Sequence, residues 1–408
     1  MAQNVPLPRP GHQLQLLQGA QAYFPALVEA IDGSSRAVRL ETYIFDFTAG
    51  SVEVVYAMER AARRGVSVMV VVDGYGTASL PPAWRERFLQ MGIQLRVFGP
   101  LGTFGMLWPG NWSRMHRKLC VVDGEVAFCG GINLLDDWHD PNHGALQAPR
   151  FDFAVRVTGP LVAQAEEAMQ RLWLRMKAAS DMRHARLAGA ITSLRASGIG
   201  ARQASSTLGP PPDPGKSARA ALVLRGALKN RTSIERAYRK AIGAARSEVI
   251  IANAYFVPGG KMRRAIISAA RRGVTVKLLL QGRYEYFMQY YAARPIYSAL
   301  LEAGVEIHEY SPSFLHAKVA VIDGRWATVG SSNLDPLSLL LAREANVMVD
   351  DEAFALQLRD RLVHAIEHGG RIMNPDEFGN RPFRQRVFER VALFVMRLLL
   401  LVQGKKYL

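Results

Sequence analysis

The sequence has few cysteines and no long apolar run. Two of its 408 residues are cysteine, Cys120 and Cys129, so a disulfide framework cannot hold so large a chain together. The best apolar candidate, residues 391–402, contains Arg397 and is shorter than the roughly 18 apolar residues that a membrane-spanning helix needs. The N-terminal segment has neither the basic start nor the apolar run of a signal peptide or anchor. We therefore expect a protein of a reducing, cytoplasmic environment.

Acidic residues are also in the minority. The chain has 51 Lys and Arg against 35 Asp and Glu, a net charge of +16, which favours a polyanionic partner. Nucleic acid and an anionic lipid surface both satisfy this charge. A basic protein with a well-solvated surface and no polyanionic partner is the plain alternative.

The chain consists of two copies of one unit. Each copy has a helix, a strand, a second helix that ends in the letters AARRGV, and a second apolar strand. These elements lie at 24–31, 38–45, up to 66, and 68–73 in the first copy, and at 234–245, 249–256, up to 274, and 276–281 in the second. Strands that alternate with helices predict parallel pairing with helices on both faces, so we expect an α/β/α sandwich in each half.

The composition predicts four segments. A first half, 1–180, is followed by a linker or mobile loop at 181–217, which is rich in Ser, Gly, Pro and Arg. The second half is 218–372, and a basic amphipathic C-terminal tail is 373–408. This tail is either an interfacial helix in the lipid headgroup region or a helix packed on the core.

Each copy ends in a strand, an Asp-Gly turn and a second strand. The segments HRKLCVVDGEVAFCGGIN and HAKVAVIDGRWATVGSSN share the pattern H-x-K-x4-D-x6-G-x2-N. Its chemical residues are His116, Lys118, Asp123 and Asn133 in the first copy, and His316, Lys318, Asp323 and Asn333 in the second. Alternation along the strand puts the His and Lys on one face, and the turn brings the Asn toward the Lys. A lone buried histidine is usually a core residue, but two copies at identical spacing favour a function.

The two clusters are suited to phosphoryl or phosphatidyl transfer. One imidazole can attack phosphorus and form a phosphohistidine, while the other donates or accepts a proton. Lysine and asparagine can stabilise the anionic oxygens. Carboxylates, histidines and cysteines do not cluster at metal-ligand spacing, so we expect no metal and no cofactor.

The paired motif resembles that of the phospholipase D superfamily, and the chain looks most similar to the shorter bacterial cardiolipin synthases, which lack N-terminal transmembrane helices. The likeness extends from LETYIF at residue 40 to NLDPLSLLLAREANVMV at residue 333. The segments GGIN at 130 and GSSN at 330 are typical of that subfamily. The resemblance implies two phospholipase D-like halves, packed with pseudo-two-fold symmetry around one active site. It also implies transfer of a phosphatidyl group from one phosphatidylglycerol to another, with release of glycerol, at the cytoplasmic face of the bacterial membrane.

The resemblance also assigns roles to individual residues. An acid should hold the distal nitrogen of each catalytic histidine, and Glu344, 28 residues after His316, matches that position for His316. Asp152 is the expected counterpart in the first half, with a surface carboxylate as the alternative. Asp123 and Asp323 should fix the hairpins, and the motif lysines and asparagines should hold phosphoryl oxygens. Ser331 offers a hydroxyl where the first copy has Gly131.

Three other functions stay open at this point. A phospholipase D or a nuclease of the same superfamily would hydrolyse phosphodiesters, and a silent lipid-binding scaffold would catalyse nothing. Both motifs on one chain, beside ETYIF and LDPLSLLLAREAN, favour phospholipid over nucleic acid as substrate. Phosphatidylethanolamine or free glycerol could replace one phosphatidylglycerol. No obligatory protein partner is inferred.

Overall fold

The computed structural model describes residues 5–48, 50–77, 80–100, 113–140, 143–183, 192–193, 217–226, 230–283, 287–335, 342–379 and 381–402. The chain forms two compact units. The first unit comprises residues 8–136 and 154–222, and the second comprises 1–7, 137–153 and 223–408. Residues 137–153 therefore belong to the unit that holds the second motif, although chain order places them in the first half.

The first unit is a mixed sheet with helices on both faces. Its helices are α1 (Gly19–Asp32), α2 (Ser51–Arg63), α3 (Pro82–Gln90) and α4 (Leu161–Arg183). Its strands are β1 (Arg9–Gln18), β2 (Ala37–Thr42), β3 (Ser67–Asp73), β4 (Gln94–Phe98), β5 (Arg114–Met115), β6 (Leu119–Val122), β7 (Val126–Gly130) and β10 (Phe153–Thr158, apart from its first residue). The sheet order is β1-β10-β7-β6-β2-β3-β4, in which β2, β3 and β4 are parallel and β6 and β7 antiparallel.

Strands β2 and β3 are nearly continuous apolar runs because helices cover both of their faces. On one face, Leu40 and Val70 share a buried cluster with Leu27 of α1 and Val54 of α2. On the other face, Val71 packs against α4. The first unit is therefore an α/β/α sandwich, as its sequence predicts.

The second unit repeats this plan. Its helices are α5 (Ser233–Ala244), α6 (Gly260–Arg271), α7 (Phe287–Leu301), α8 (Glu352–Gly369), α9 (Pro375–Gly379) and α10 (Phe383–Val402). Its strands are β8 (His139–Asp140), β9 (Gly144–Ala145), β12 (Glu248–Asn253), β13 (Thr275–Gln281), β14 (Glu306–Tyr310), β15 (Lys318–Ile322), β16 (Trp326–Gly330), β17 (Ala342–Asp350) and β18 (Gly370–Ile372). Strand β11 (Ala218–Arg225) crosses the boundary between the units, and its first residues pair with β1.

The sheet of the second unit has the order β18-β14-β13-β12-β15-β16-β17, with β12, β13 and β14 parallel. Helices α5, α6 and α7 cover one face of this sheet, where they share a buried cluster with Ile251 of β12 and Leu278 of β13. Helix α8 also contacts the strands and forms the other helical layer. Both halves therefore have the predicted fold class, with matching strand order around each motif hairpin.

Each motif hairpin turns through its Asp-Gly pair. Asp123 has a φ of 54° and Gly124 a φ of 70°, while Asp323 and Gly324 have 52° and 60°. Positive φ at both central residues is typical of the type I′ turn, whose twist matches that of antiparallel strands. The motif glycine also has a steric reason in the second copy, since a Cβ at Gly330 would collide with the side chain of Asn346 on β17.

The predicted linker and tail are described only in part. Residues 181–183 continue helix α4 and 192–193 are helical, whereas 184–191 and 194–216 lie outside the described residues. The tail forms α9 and α10, and residues 403–408 also lie outside the description. Among the residues that are described, no helix combines the length and the apolar character needed to cross a bilayer.

Candidate active site

The first motif is held together by Lys118. Its buried ammonium donates to the backbone carbonyl of His116 over 2.9 Å, which links the two residues. The Lys118 ammonium also lies 5.2 Å from the ring centroid of Tyr43. The ring of Tyr43 in turn meets that of His116 edge-on, with centroids 4.8 Å apart. A cation, an imidazole and an aromatic ring are thus grouped at the start of the hairpin.

A buried ion pair lies beside this group. Arg117, between the motif His and Lys, approaches Glu41 of β2 to 2.7 Å, and both side chains are buried. The strand registers pair Glu41 with Leu119 and Ala252 with Val319, so the second copy has alanine at both corresponding positions, Ala252 and Ala317. Sequence reasoning missed this pair and Tyr43. The sequence signal for them is a difference between the two copies: HRK in the first motif stands against HAK in the second, and ETYIF in the first copy stands against ANAYF in the second.

The second motif repeats the lysine contact. The ammonium of Lys318 donates to the backbone carbonyl of His316, and the Lys318 side chain is fully buried. An ammonium has three N–H donors, so this bond is compatible with a further contact to a phosphoryl oxygen.

Asp152 holds the imidazole of His316. Its Oδ2 lies 2.6 Å from Nδ1 of His316, and its Oδ1 accepts from the backbone N–H of Phe153 over 2.8 Å. The backbone brings the two together, because Phe151 donates to the carbonyl of Phe314 and accepts from the N–H of His316, each over 2.9 Å. Residues 137–153 thus carry the carboxylate to the second motif.

The predicted acid of His316 is corrected by this geometry. Asp152, expected to serve the first half, contacts Nδ1 of His316, whereas Glu344 was expected there. Glu344 is buried and accepts from the hydroxyl of Ser331 over 2.5 Å. The reason is chain topology, since residues 137–153 fold with the second unit. Asp152 and Glu344 do occupy equivalent positions in the two copies. Asp152 lies two residues before Ala154, which pairs with Gly130, and Glu344 lies two residues before Asn346, which pairs with Gly330.

Two further polar residues support the motif histidines. Asp73, the last residue of β3, accepts from the backbone N–H of Met115 over 2.7 Å. Gln281, the last residue of β13, accepts from that of Leu315 over 3.2 Å. Each thus holds the residue that precedes a motif histidine. Sequence reasoning passed over both, although they end the aligned strands VVVD and LLLQ. Burial raises the pKa of Asp73 and outweighs the backbone hydrogen bonds to it, which act in the opposite direction.

The motif aspartates lie at the far end of the hairpins from the histidines. Asp123 accepts from the backbone N–H groups of Ser35, Arg36 and Ala37, each over 2.8 Å. Asp323 accepts in the same way from residues 246–248, over 2.9 to 3.0 Å. Burial acts to raise the pKa of both carboxyls, but these hydrogen bonds outweigh it and leave each pKa below its ordinary value. The contacts are those of a residue that fixes the hairpin to the start of the neighbouring strand.

The motif asparagines are buried after the returning strands. Oδ1 of Asn133 accepts from the backbone N–H of Ile44 over 3.2 Å, so part of its hydrogen-bonding capacity fixes the loop after β2. Asn333 is buried to a similar degree. Within the described ranges, no group of three or more His, Cys, Asp or Glu side chains is arranged to hold a metal ion.

Comparisons with known proteins identify the family. The sequence profile described as "Cardiolipin synthase, PLD-like domain" matches residues 27–173 and 238–365, so each matched range contains one motif. Cardiolipin synthase B of Salmonella typhi is 38% identical over 365 residues, which cover 87% of this chain and 80% of the relative. Cardiolipin synthase B of Escherichia coli K12 is 36% identical over the same length and coverage.

Among solved structures, the phosphatidylserine synthase of Haemophilus influenzae matches with a TM-score of 0.68 at 12% identity, over 95% of this chain and 94% of that one. This match shows a shared fold. The family matches cover most of the sequence and confirm the family expected from the paired motifs. The chain belongs to the cardiolipin synthase family of proteins with phospholipase D-like domains.

Proposed function

We propose that the protein is a phosphatidyltransferase that makes cardiolipin from two molecules of phosphatidylglycerol and releases glycerol. The observation that carries this proposal is the repeated motif, in which each histidine is bonded through its carbonyl to a buried lysine. The imidazole of His316 is held by the carboxylate of Asp152. The relatives named cardiolipin synthase B support the substrate class.

In the first step, the imidazole of His116 attacks the phosphorus of phosphatidylglycerol. A P–N bond forms, the bond from phosphorus to the glycerol headgroup oxygen breaks, and His316 donates its proton to that oxygen. Glycerol leaves, and the phosphatidyl group stays on His116.

In the second step, His316 takes the proton from a terminal hydroxyl of a second phosphatidylglycerol. The hydroxyl oxygen attacks phosphorus, the P–N bond breaks, and cardiolipin is released with both histidines restored. Lys118, Lys318, Asn133 and Asn333 stabilise the phosphoryl oxygens in both steps. Asp152 suits His316 to the role of acid, because a carboxylate on Nδ1 stabilises the protonated imidazole.

The place of this reaction is the cytoplasmic face of the bacterial membrane, to which the protein attaches peripherally. The net charge of +16 supports an anionic lipid surface as the partner. Nucleic acid is not a partner in this proposal, and no metal, cofactor or second protein is required.

The test is a product analysis with the purified chain and radiolabelled phosphatidylglycerol in detergent micelles. The proposal expects cardiolipin and glycerol in equal amounts. Phosphatidic acid as the main product would instead identify a hydrolase, and no turnover would identify a silent binding protein. Replacing half of the phosphatidylglycerol with phosphatidylethanolamine, or adding free glycerol, then shows which donors and acceptors compete.

A further inference from the structure

Helix α10 has two opposite apolar faces. Of the thirteen exposed large apolar side chains among the described residues, six lie on this one helix. Phe383 is 73% exposed, Phe394 63% and Val391 51%. Exposed apolar side chains scattered singly are ordinary, but a concentration on one element marks an interaction surface.

The sequence spacing of these residues places most of them along one side of the helix. An α-helix turns about 100° per residue, so Phe383, Val387, Val391 and Phe394 fall within an arc of about 80°. Val395 extends the same face. We call these five residues the outer stripe.

The opposite face already has a partner. Ala392 and Leu393 are buried in the core of the second unit. At the margin between the two faces, the ring of the partly exposed Phe388 meets that of Tyr291 on α7 at 4.9 Å. The buried carboxylate of Glu389 accepts from Arg381 over 2.8 Å. Helix α10 is therefore fixed to the unit by one face, and the outer stripe faces away from the core.

Positive charge accompanies the stripe. Arg384 and Arg390 are exposed, and on the helical wheel they lie within or beside the stripe. An apolar stripe with arginines at its margins is the pattern of a helix that lies in the headgroup region of an anionic bilayer, where arginine stems stay in the apolar layer and the guanidinium groups reach the phosphates. A second protein copy would require these cations to be paired or desolvated at the contact.

We propose that the outer stripe of α10 is the membrane-docking surface of the protein, which inserts its apolar side chains among the headgroups and upper acyl chains of an anionic bilayer. Both alternatives for the tail then hold, each on one face of the same helix. The inference shares with the proposed function the premise of a lipid substrate, but it concerns attachment and needs no turnover.

The test uses the full chain and vesicles of phosphatidylserine and phosphatidylcholine, so that binding is separated from turnover of phosphatidylglycerol. Val391→Cys is labelled with an environment-sensitive fluorophore. The native thiols, Cys120 and Cys129, are buried, and burial raises the pKa of Cys120 to about 12, which leaves the new thiol as the reactive one. Leu89→Cys, at a residue 78% exposed on α3, is the matched control.

The expected result is a blue shift and a rise in emission for the label at 391 on adding vesicles, with no change for the label at 89. In cosedimentation, the triple variant Phe383→Gln, Val391→Gln, Phe394→Gln should bind at least about tenfold more weakly than wild type. Leu89→Gln should bind like wild type. Wild-type binding should weaken as salt is raised, because exposed charges are screened over about 8 Å at physiological ionic strength.

Two results would overturn the proposal. One is wild-type protein that cosediments with vesicles while the label at 391 does not respond. The other is a folded triple variant that binds vesicles as tightly as wild type. In the second case, light scattering that shows a wild-type dimer and a monomeric triple variant would assign the stripe to contact between copies of this chain. Far-UV circular dichroism and thermal unfolding establish that the variants are folded.

Discussion

In the proposed reaction, a single carboxylate decides which nitrogen of His316 meets the substrate. Oδ2 of Asp152 lies 2.6 Å from Nδ1, so the proton shared between them fixes the tautomer and leaves Nε2 for reaction with substrate. The carboxylate is itself oriented by the N–H of Phe153. It also stabilises the imidazolium that forms when Nε2 takes up a second proton. An amide at this position would keep the shape and lose the charge.

We therefore expect Asp152→Asn to lower the rate of cardiolipin formation by about 10²-fold or more, the usual contribution of a positioned acid or base. The folded structure should persist, because the side chain keeps its volume. Asp32→Asn, which removes a carboxylate that pairs with Arg60 at the surface, is the control and should retain activity. Turnover of Asp152→Asn within about twofold of wild type would show that His316 does not depend on this carboxylate.

The motif aspartates act on stability, and their effect depends on pH. A carboxyl whose pKa is lowered in the folded protein stabilises it above its unfolded pKa, about 3.9, and this stability is lost as the pH falls through the folded pKa. Asp123→Asn and Asp323→Asn should therefore each reduce the free energy of unfolding at pH 7, by about 1 to 3 kcal/mol for the weakened hydrogen bonds. Urea unfolding from pH 7 down to pH 3 should show this deficit shrink below about pH 4. A deficit that stays constant with pH would contradict the charge argument.

The chemical residues of the site could be identified from the sequence, but their pairing could not. The repeated spacing picks out His116, Lys118 and their counterparts, and the acidic residue of RFDF was also found. Sequence spacing does not show that residues 137–153 fold with the second unit, so it assigned Asp152 to the first half. Contacts such as that of Tyr43 with His116 depend on side-chain packing between elements distant in sequence, for which the chain has no local pattern.

At the scale of elements, the buried strands β3 and β13 could be predicted from the sequence. The contact that holds the start of helix α4 could not. Apolar runs before and after AARRGV predict β3 and β13 to within a residue, because strands buried on both faces must be apolar throughout. The start of α4 depends instead on a distant histidine. Nε2 of the buried His12 accepts from the N–H of Leu161, the first residue of α4, over 3.1 Å, and Nδ1 lies 3.0 Å from the carbonyl of Arg9.

This helix cap is sensitive to acid. Burial lowers the pKa of His12 and outweighs the backbone hydrogen bonds that raise it. The contribution of His12 to stability is therefore complete above its unfolded pKa of about 6.5 and is lost as the pH falls through the lower, folded value. Protonation of Nε2 would remove its ability to accept from Leu161.

We expect the free energy of unfolding of wild type to fall as the pH is lowered below about 6.5. His12→Gln, whose side chain does not titrate in this range, should be less stable at pH 7.5, by about 1 kcal/mol for a weakened helix cap, and should lack this part of the pH dependence. Chemical denaturation at closely spaced pH values measures both. If the pH profiles of wild type and His12→Gln are parallel, His12 is not the titrating group.

At the scale of the whole molecule, one strand order occurs twice with one motif hairpin in each copy. This repetition was visible in the sequence because both copies contain the segment AARRGV and the motif pattern at equivalent positions. Where the copies differ, they differ in chemistry, as in the buried pair of Arg117 and Glu41 against two alanines. The reaction proposed for the two motifs draws its positive charge from side chains.

Activity should therefore survive chelation. After exhaustive dialysis against EDTA, the rate of cardiolipin formation should stay within about twofold of the untreated rate, since lysine and asparagine side chains supply the charge stabilisation. Lys318→Met, which removes one of these cations, should by contrast lower the rate by about 10²-fold or more. Loss of activity with EDTA, restored by a divalent ion, would mean that a metal takes the role assigned to the lysines.

The central claim is that the phosphatidyl group is carried on the histidine of the first motif, and trapping the intermediate tests it most directly. Wild type and the variants His116→Ala and His316→Ala are mixed with phosphatidylglycerol labelled at phosphorus, quenched within milliseconds without acid, and digested for peptide mapping. The account predicts label on the peptide that contains His116 in wild type, none in His116→Ala, and cardiolipin formation by neither variant. Label on His316, or near wild-type turnover by either variant, would contradict it.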